Sequence, residues 1–194
     1  MRTDDLRVIK TRHAIKSAFF KLMKQKSFEK ITVADITNLA SINRGTFYSH
    51  YRDKYDLLEK IETDILTDMS KFISLITADA LEKINISKEP LPHIVPMMAY
   101  IENNPDYFMI LLETGNSLQF IQKVLSTYFD HVTGNFDMKS IDLWKEEYIR
   151  DFIIAFAGSI INRWLIRGMA EDKEMMANWI TEIAYPHIAK YQML

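Results

Sequence analysis

Between Thr32 and Lys54 the chain reads TVADITNLASINRGTFYSHYRDK, and its polar residues suit holding phosphates and reading base edges rather than breaking bonds. Arg44, Thr46, Tyr48 and His50 carry hydrogen-bond donors of different reach, and Gly45 among them has no side chain to obstruct a close approach. Hydroxyl, imidazole and ammonium donors orient a protein on the backbone of a duplex, whereas a guanidinium such as that of Arg44 can read bases. Bond-breaking chemistry would need a different set. The five histidines, at 13, 50, 93, 131 and 187, are dispersed, with no H-E-x-x-H and no carboxylate at metal-ligand spacing. Gly158-Ser159 lacks the flanks of a nucleophile elbow, and no glycine-rich phosphate loop occurs. No catalytic residue, metal or cofactor is therefore expected.

The elements that must position these donors are two short helices and a tight turn. Thr32 precedes the apolar series Val33, Ile36, Leu39 and Ala40, and Asp35 follows it by three, so Thr32 and Asp35 form a reciprocal cap. Ser41 and Ile42 break the first helix, and Asn43 caps a second one carrying Arg44 to His50. Phe47 and Tyr51, four apart, face inward together. This is the pattern of a helix-turn-helix whose second helix enters the DNA major groove; the plainer alternative is a helical hairpin of no special function.

The run from Thr32 through Y-D-L-L at 55–58 resembles the signature of the TetR family of bacterial transcriptional regulators, with R-G-T-F-Y followed by an aromatic and D-K as its most specific part. The resemblance implies an all-α homodimer with an N-terminal DNA-binding domain, residues 1–52, and a C-terminal helical domain for ligand binding and dimerisation, residues 53–194. Residue by residue it places Thr32, Thr46, Tyr48, His50 and Lys54 on the DNA backbone and Asn43, Arg44 and Gly45 at the bases. The turn departs from the family pattern at Ser41, where glycine is usual; a positive φ there costs about 1 kcal/mol relative to glycine. The C-terminal half, through N-N-P-D-Y-F-M-I-L-L and W-L-I-R-G-M, loosely resembles TetR-type proteins grouped as dihydroxyacetone kinase regulators.

The charge distribution agrees with a DNA-binding head. Residues 1–55 hold 12 Lys and Arg against 5 Asp and Glu, a net of +7, and the remainder holds 12 against 21, a net of −9. A chain of 194 residues with 48% hydrophobic content can bury a substantial core. No run approaches the roughly 20 apolar residues of a membrane span, so no membrane partner is expected. The N-terminus has no apolar signal core, and the absence of cysteine fits a reducing cytoplasm.

Periodicity predicts helices throughout. The first, about Asp4 to Lys26, places Ile15, Phe19 and Leu22 on one face. A long helix capped by Asp53 is expected to run to about Lys83, some 45 Å at about 1.5 Å per residue. It would join the head to the core beneath a pocket. All five prolines lie beyond residue 89, and Asn85 to Pro92 is the candidate linker. A helix from Pro92 would be weakened or kinked at Pro96. Further helices are expected over Pro105–Glu113, from Ser117 to Gly134, over Asp142–Arg167 with Gly168 as its stop, and over Lys173–Lys190 with Pro186 bending or ending it. Residues 135–141 read as a loop.

Two apolar groups remain. Met97, Met98, Tyr100, Tyr107, Phe108, Met109, Phe120 and Trp164 read either as ordinary core or as the lining of an apolar effector pocket, with Tyr100, Tyr107 and Asn162 as its polar tips. Phe152, Phe156, Trp179, Ile180 and Ile183 exceed what one core face can use and read as a dimer interface closing a four-helix bundle. Three functions fit: an effector-responsive regulator binding a palindromic double-stranded DNA operator as a homodimer, a constitutive DNA-binding protein of the same fold, and a helical adaptor or enzyme.

Overall fold

The computed structural model describes residues 3–75, 90, 93–114, 120, 122–124, 126–127 and 143–189, and every regular element among them is a helix. The chain divides into two compact units, Met1–Asp64 and Ile65–Leu194. The break falls within a helix rather than ahead of it at residue 53, because the first turns of that helix pack with the head.

The first unit contains α1 (Thr3–Met23), a 3₁₀ turn (Phe28–Lys30), α2 (Val33–Leu39), α3 (Arg44–Tyr48) and the beginning of α4 (Lys54–Ile73). Its core is assembled from the expected stripes: Ile15, Phe19 and Leu22 of α1, Phe28, Ile31, Ile36 and Phe47, and Leu57, Leu58 and Ile61 of α4 are all buried. Phe28 meets Phe19 and Tyr55 edge-to-face, with centroids 6.1 and 5.2 Å away, the geometry that ring quadrupoles favour. The α2–α3 turn is a Schellman motif. Ile42 N–H donates to Thr37 O at 3.0 Å and Ser41 N–H to Asn38 O at 3.2 Å, satisfying carbonyls at the end of α2. The motif puts Ser41 at φ 54, the left-handed conformation anticipated from its place in the turn.

The second unit contains the rest of α4 and α5 (Ile94–Asn103), α6 (Pro105–Glu113), α7 (Leu143–Ile166) and α8 (Lys173–Ala189). α5 packs on α8 and α6 on α7. Lys173 of α8 pairs with Glu102 of α5 at 3.3 Å. The boundaries of α4 and α5 differ from the sequence reading, while α8 keeps its expected bounds without ending at Pro186. α4 stops at Ile73, near 30 Å long at about 1.5 Å per residue, and its extension toward Lys83 lies outside the described residues. α5 starts at Ile94, so Pro96 sits in the first turn, where its missing N–H has no intrahelical acceptor to lose and no kink is called for. α8 continues through Pro186 to Ala189. Pro105 opens α6 as expected. α7 ends in a second Schellman motif, Met169 N–H to Trp164 O at 2.8 Å and Gly168 N–H to Leu165 O at 2.9 Å, with Gly168 at φ 72 and Met169 at φ 57. The 135–141 loop and, apart from residue 90, the linker Asn85–Pro92 lie outside the described residues; of the Ser117–Gly134 helix, residues 120, 122–124 and 126–127 are described, and they are helical.

His93, just ahead of α5, is 5% exposed, and burial pushes its imidazole down from 6.5 to about 3. Below pH 6.5 the unfolded chain takes up this proton and the folded chain does not, so stability is full above that pH and falls as the pH drops toward 3. The slope is up to about 1.4 kcal/mol per pH unit. All three tryptophans belong to the second unit, so urea unfolding followed by their fluorescence at pH 7 and pH 5 reports it: the wild type should lose more stability than His93→Gln over that interval. In the first unit, Ser41→Gly removes the left-handed strain but loosens the unfolded chain, for a net gain of about 0.5–1 kcal/mol in urea unfolding.

Candidate nucleic-acid interface

The reciprocal cap of α2 is present. Asp35 N–H donates to Thr32 Oγ1 at 3.2 Å, and Thr32 N–H donates to Asp35 Oδ2 at 2.8 Å. Lys26 pairs with the same carboxylate at 2.7 Å. That ammonium, with the Thr32 donors, pulls the Asp35 carboxyl down to about 2. Thr32 itself is exposed at the start of α2.

On α3, Asn43 Oδ1 accepts from Thr46 N–H at 2.6 Å. The cap engages the amide oxygen, so the NH₂ is the end of Asn43 that can meet DNA. A Cβ on Gly45 would stand 3.3 Å from Asn43 Oδ1, which gives the glycine a reason beyond approach to bases: a side chain there crowds the cap. Phe47 is fully buried, its ring 5.7 Å from Tyr48 and 5.6 Å from Tyr51. Asn43, Arg44, Gly45 and Tyr48 are exposed, with Thr46 half-buried beside them. The short helix thus turns its aromatic anchor inward and presents its expected base readers, with Tyr48, to solvent.

The α3–α4 connection holds residues that the sequence reading assigned differently or passed over. His50 is half-buried; burial, then the nearby charges of Arg12 and Lys60, push its imidazole below the ordinary histidine range. Lys54, expected on a phosphate, points its ammonium to Phe28 O at 2.9 Å and Glu29 O at 3.0 Å, over the rings of Phe28 and Tyr55. Two of its three donors tie α4 to the 3₁₀ turn, which leaves one for DNA. Asp53 caps α4 as expected, accepting from Tyr55 and Asp56 N–H, both at 2.8 Å. Asp56 and Lys60, not singled out from sequence, grip the connection itself. Asp56 accepts from Arg52 N–H at 2.9 Å, and Lys60 donates to His50 O at 2.9 Å. Their spacing of four was the available signal.

In the second unit the expected pocket residues form a connected but structural-looking set. Rings run from Phe72 to Tyr100, Phe108 and Phe120, with successive centroids 5.7, 6.1 and 6.4 Å apart. Tyr100 OH donates to Asp68 Oδ2 at 2.9 Å. Met98 is fully buried, and Met97, Tyr107 and Asn162 are half-buried. Asn162 Oδ1 is buried with no hydrogen-bond partner among the described residues. Trp164 is anchored, its indole N–H donating to Glu171 O at 2.8 Å. Of the expected interface residues, Phe152, Trp179 and Ile183 are exposed and Phe156 is half-buried, stacked on Phe152 at 6.3 Å. Ile180 is a correction: it is 4% exposed and lies with Met176 and Ala177 on the buried face of α8. Among the described residues no cluster of side chains could hold a metal ion, and no helix is long and apolar enough to cross a membrane.

Comparison with known proteins agrees with this geometry. Residues 15–61 match the family model for bacterial regulatory proteins of the tetR family, and residues 88–185 match the model for a transcriptional regulator C-terminal region. The uncharacterized HTH-type transcriptional regulator YxbF of Bacillus subtilis (strain 168) is 25% identical over 172 residues, 87% of this chain and 43% of that protein, so the chain spans less than half the length of this relative. Among solved structures, a TetR transcriptional regulator from Streptococcus agalactiae 2603V shares the fold with a TM-score of 0.62 at 22% identity, covering 93% of this chain and 97% of the other. The dihydroxyacetone kinase operon activator DhaS does so with a TM-score of 0.61 at 20% identity over the same shares. With both halves matched and the helix-turn-helix built as its residues require, the chain belongs to the TetR family of bacterial regulatory proteins.

Proposed function

We propose that this regulator works as a cytoplasmic homodimer on a palindromic double-stranded DNA operator, under the control of a small-molecule effector bound by the second unit, and that it catalyses no reaction. The observation that carries the DNA-binding roles is the division of α3, with Phe47 fully buried and Arg44, Gly45 and Tyr48 exposed in a stretch, residues 1–55, of net +7. Arg44, with Asn43 and Gly45, reads bases; Thr32, Thr46, Tyr48, His50 and the remaining donor of Lys54 hold phosphates. A two-fold dimer presents two such helices to half-sites about one helical turn apart.

The dimer is supported by the apolar stripe along α7 and α8. Tyr148 and Ile166 are 75% and 63% exposed, and Phe152, Met175, Trp179 and Ile183 are exposed between 40% and 49%. Monomers seldom leave a contiguous patch of this kind uncovered, and two such helix pairs close a four-helix bundle. Effector binding is supported by the aromatic series from Tyr100 to Phe120 with Met97, Met98, Tyr107 and Trp164 in the same unit, and by the buried acceptor of Asn162. Continuity of α4 from the head into the second unit offers the route of control. An effector acts only through its differential affinity for two states, on a scale of about 1–3 kcal/mol.

Two measurements test the reading. Arg44→Ala should lose about 1–3 kcal/mol on the operator relative to random DNA; equal losses on both would remove its role as base reader. Trp179→Asp, exposed and so harmless to the protomer core, should sediment as a monomer with unchanged circular dichroism. A dimer as tight as wild type would move the interface elsewhere.

A further inference from the structure

The peptide groups on either side of Tyr51 are each held by a side chain of α4. Lys60 Nζ donates to His50 O at 2.9 Å, and Asp56 Oδ2 accepts from Arg52 N–H at 2.9 Å. Lys60 and Asp56 also bond each other at 3.0 Å, so the four groups close a ring around the chain segment that follows the recognition helix. Arg52 Nη2 adds a longer contact to Asp56 Oδ1 at 3.3 Å. Inside the ring Tyr51 is 3% exposed and packs on Phe47, while the Lys60 ammonium lies 5.1 Å from the Tyr51 ring centroid. Asp56 is held ionised well below the usual carboxylate range, first by the Arg52 N–H and then by Lys60.

A half-exposed lysine on a basic head would ordinarily be read as a phosphate contact. Here the ammonium is directed to a carbonyl and a nearly buried carboxylate, and its charge is balanced by Asp56. Phe47 and Tyr51 fix where the end of α3 sits, but two packed rings tolerate rotation more readily than directional hydrogen bonds do. A bidentate base contact is lost when the helix turns by a modest angle, whereas phosphate contacts from flexible side chains follow it. We propose that Lys60 and Asp56 are positioning residues that set the angle of the recognition helix, and so determine operator selectivity without touching DNA. The proposal rests on α3 being the element that reads DNA.

The test uses the full chain, a duplex enriched by the wild type from a randomised library, and a random-sequence duplex, with binding followed by fluorescence anisotropy over a range of salt. Lys60→Met keeps the stem over Tyr51 and removes the donor. It should weaken binding to the selected duplex on the order of tenfold, the scale of one poorly formed base contact, with random-DNA affinity and salt slope unchanged. Lys60→Arg, which can donate to the same carbonyl and carboxylate, should recover most of the loss. Asp56→Ala should behave like Lys60→Met, and the double variant should lose little more than either single one, because one ring is broken in each case. A phosphate role would give other results: Lys60→Met would weaken both duplexes equally and lower the salt slope by about 0.9, and Asp56→Ala, by removing a negative charge, would tighten both. Either outcome, or no change in selectivity with any variant, overturns the proposal. Circular dichroism confirms folding, and Lys60→Arg carries the comparison should a variant unfold, since a selectivity below wild type with normal random-DNA binding still follows only from altered angle. Arg44→Ala measured alongside separates the two levels: if it leaves selectivity intact, α3 is not the reader, whatever the ring does.

Discussion

A helix of five residues cannot hold itself in water, and α3 is such a helix. Nucleation alone is unfavourable by a factor near 10³, about 4 kcal/mol, and five residues give propagation almost no length in which to recover it. The Asn43 cap returns about 1 kcal/mol and burial of Phe47 about 1.5–3 kcal/mol. Those two terms roughly match the deficit, which makes the recognition helix a consequence of its anchor. The rest of the head then has a clear task. Ile36, Leu57, Leu58 and Ile61 are buried in the same unit, and Tyr51 packs on the Phe47 ring with centroids 5.6 Å apart.

Polar groups in the head divide by direction. Those facing inward tie backbone to side chain across elements, Lys54 to the carbonyls of the 3₁₀ turn, Lys60 to His50 O and Asp56 to Arg52 N–H, while Lys26 pairs side chain to side chain with Asp35. Asn43, Arg44 and Tyr48 face outward and are exposed, Asn43 with its amide oxygen taken by the cap. The net charge of +7 over residues 1–55 falls to +4 over the whole unit Met1–Asp64, and Lys16, Lys26 and Lys60 are paired with carboxylates within it.

What could be read from the sequence was local chemistry. The Thr32–Asp35 cap, the Asn43 and Asp53 caps, the positive φ of Ser41 and the stop at Gly168 are each decided by residues within six positions of one another, and all appear in the structure. The readings that failed needed tertiary information. Whether Pro96 breaks a helix depends on where that helix begins, and its start at Ile94 moves the proline into the tolerant first turn. For Lys54, what the sequence hid is that two of its three donors are taken by the carbonyls of Phe28 and Glu29, more than twenty residues away; its expected phosphate contact stays a proposal for the third. Asp56 and Lys60 are passed over, because their other partners are peptide groups that carry no sequence signal.

Ile180 shows the same limit from the apolar side, and it explains the form of α8. Met176, Ala177, Ile180 and Thr181 lie on one face, buried in the unit that packs α8 on α5. Met175, Trp179 and Ile183 recur every four residues on another face, and all three are exposed. Composition merges the two faces into one broad apolar surface, since adjacent residues 100° apart around a helix are not distinguished by hydrophobicity alone. Only the direction of α5 separates them. A surface helix needs one apolar stripe to hold its place in a fold, and α8 has that stripe in its buried face. The second stripe leaves a tryptophan 45% exposed in the protomer, and it is the surface that the proposed dimer would cover.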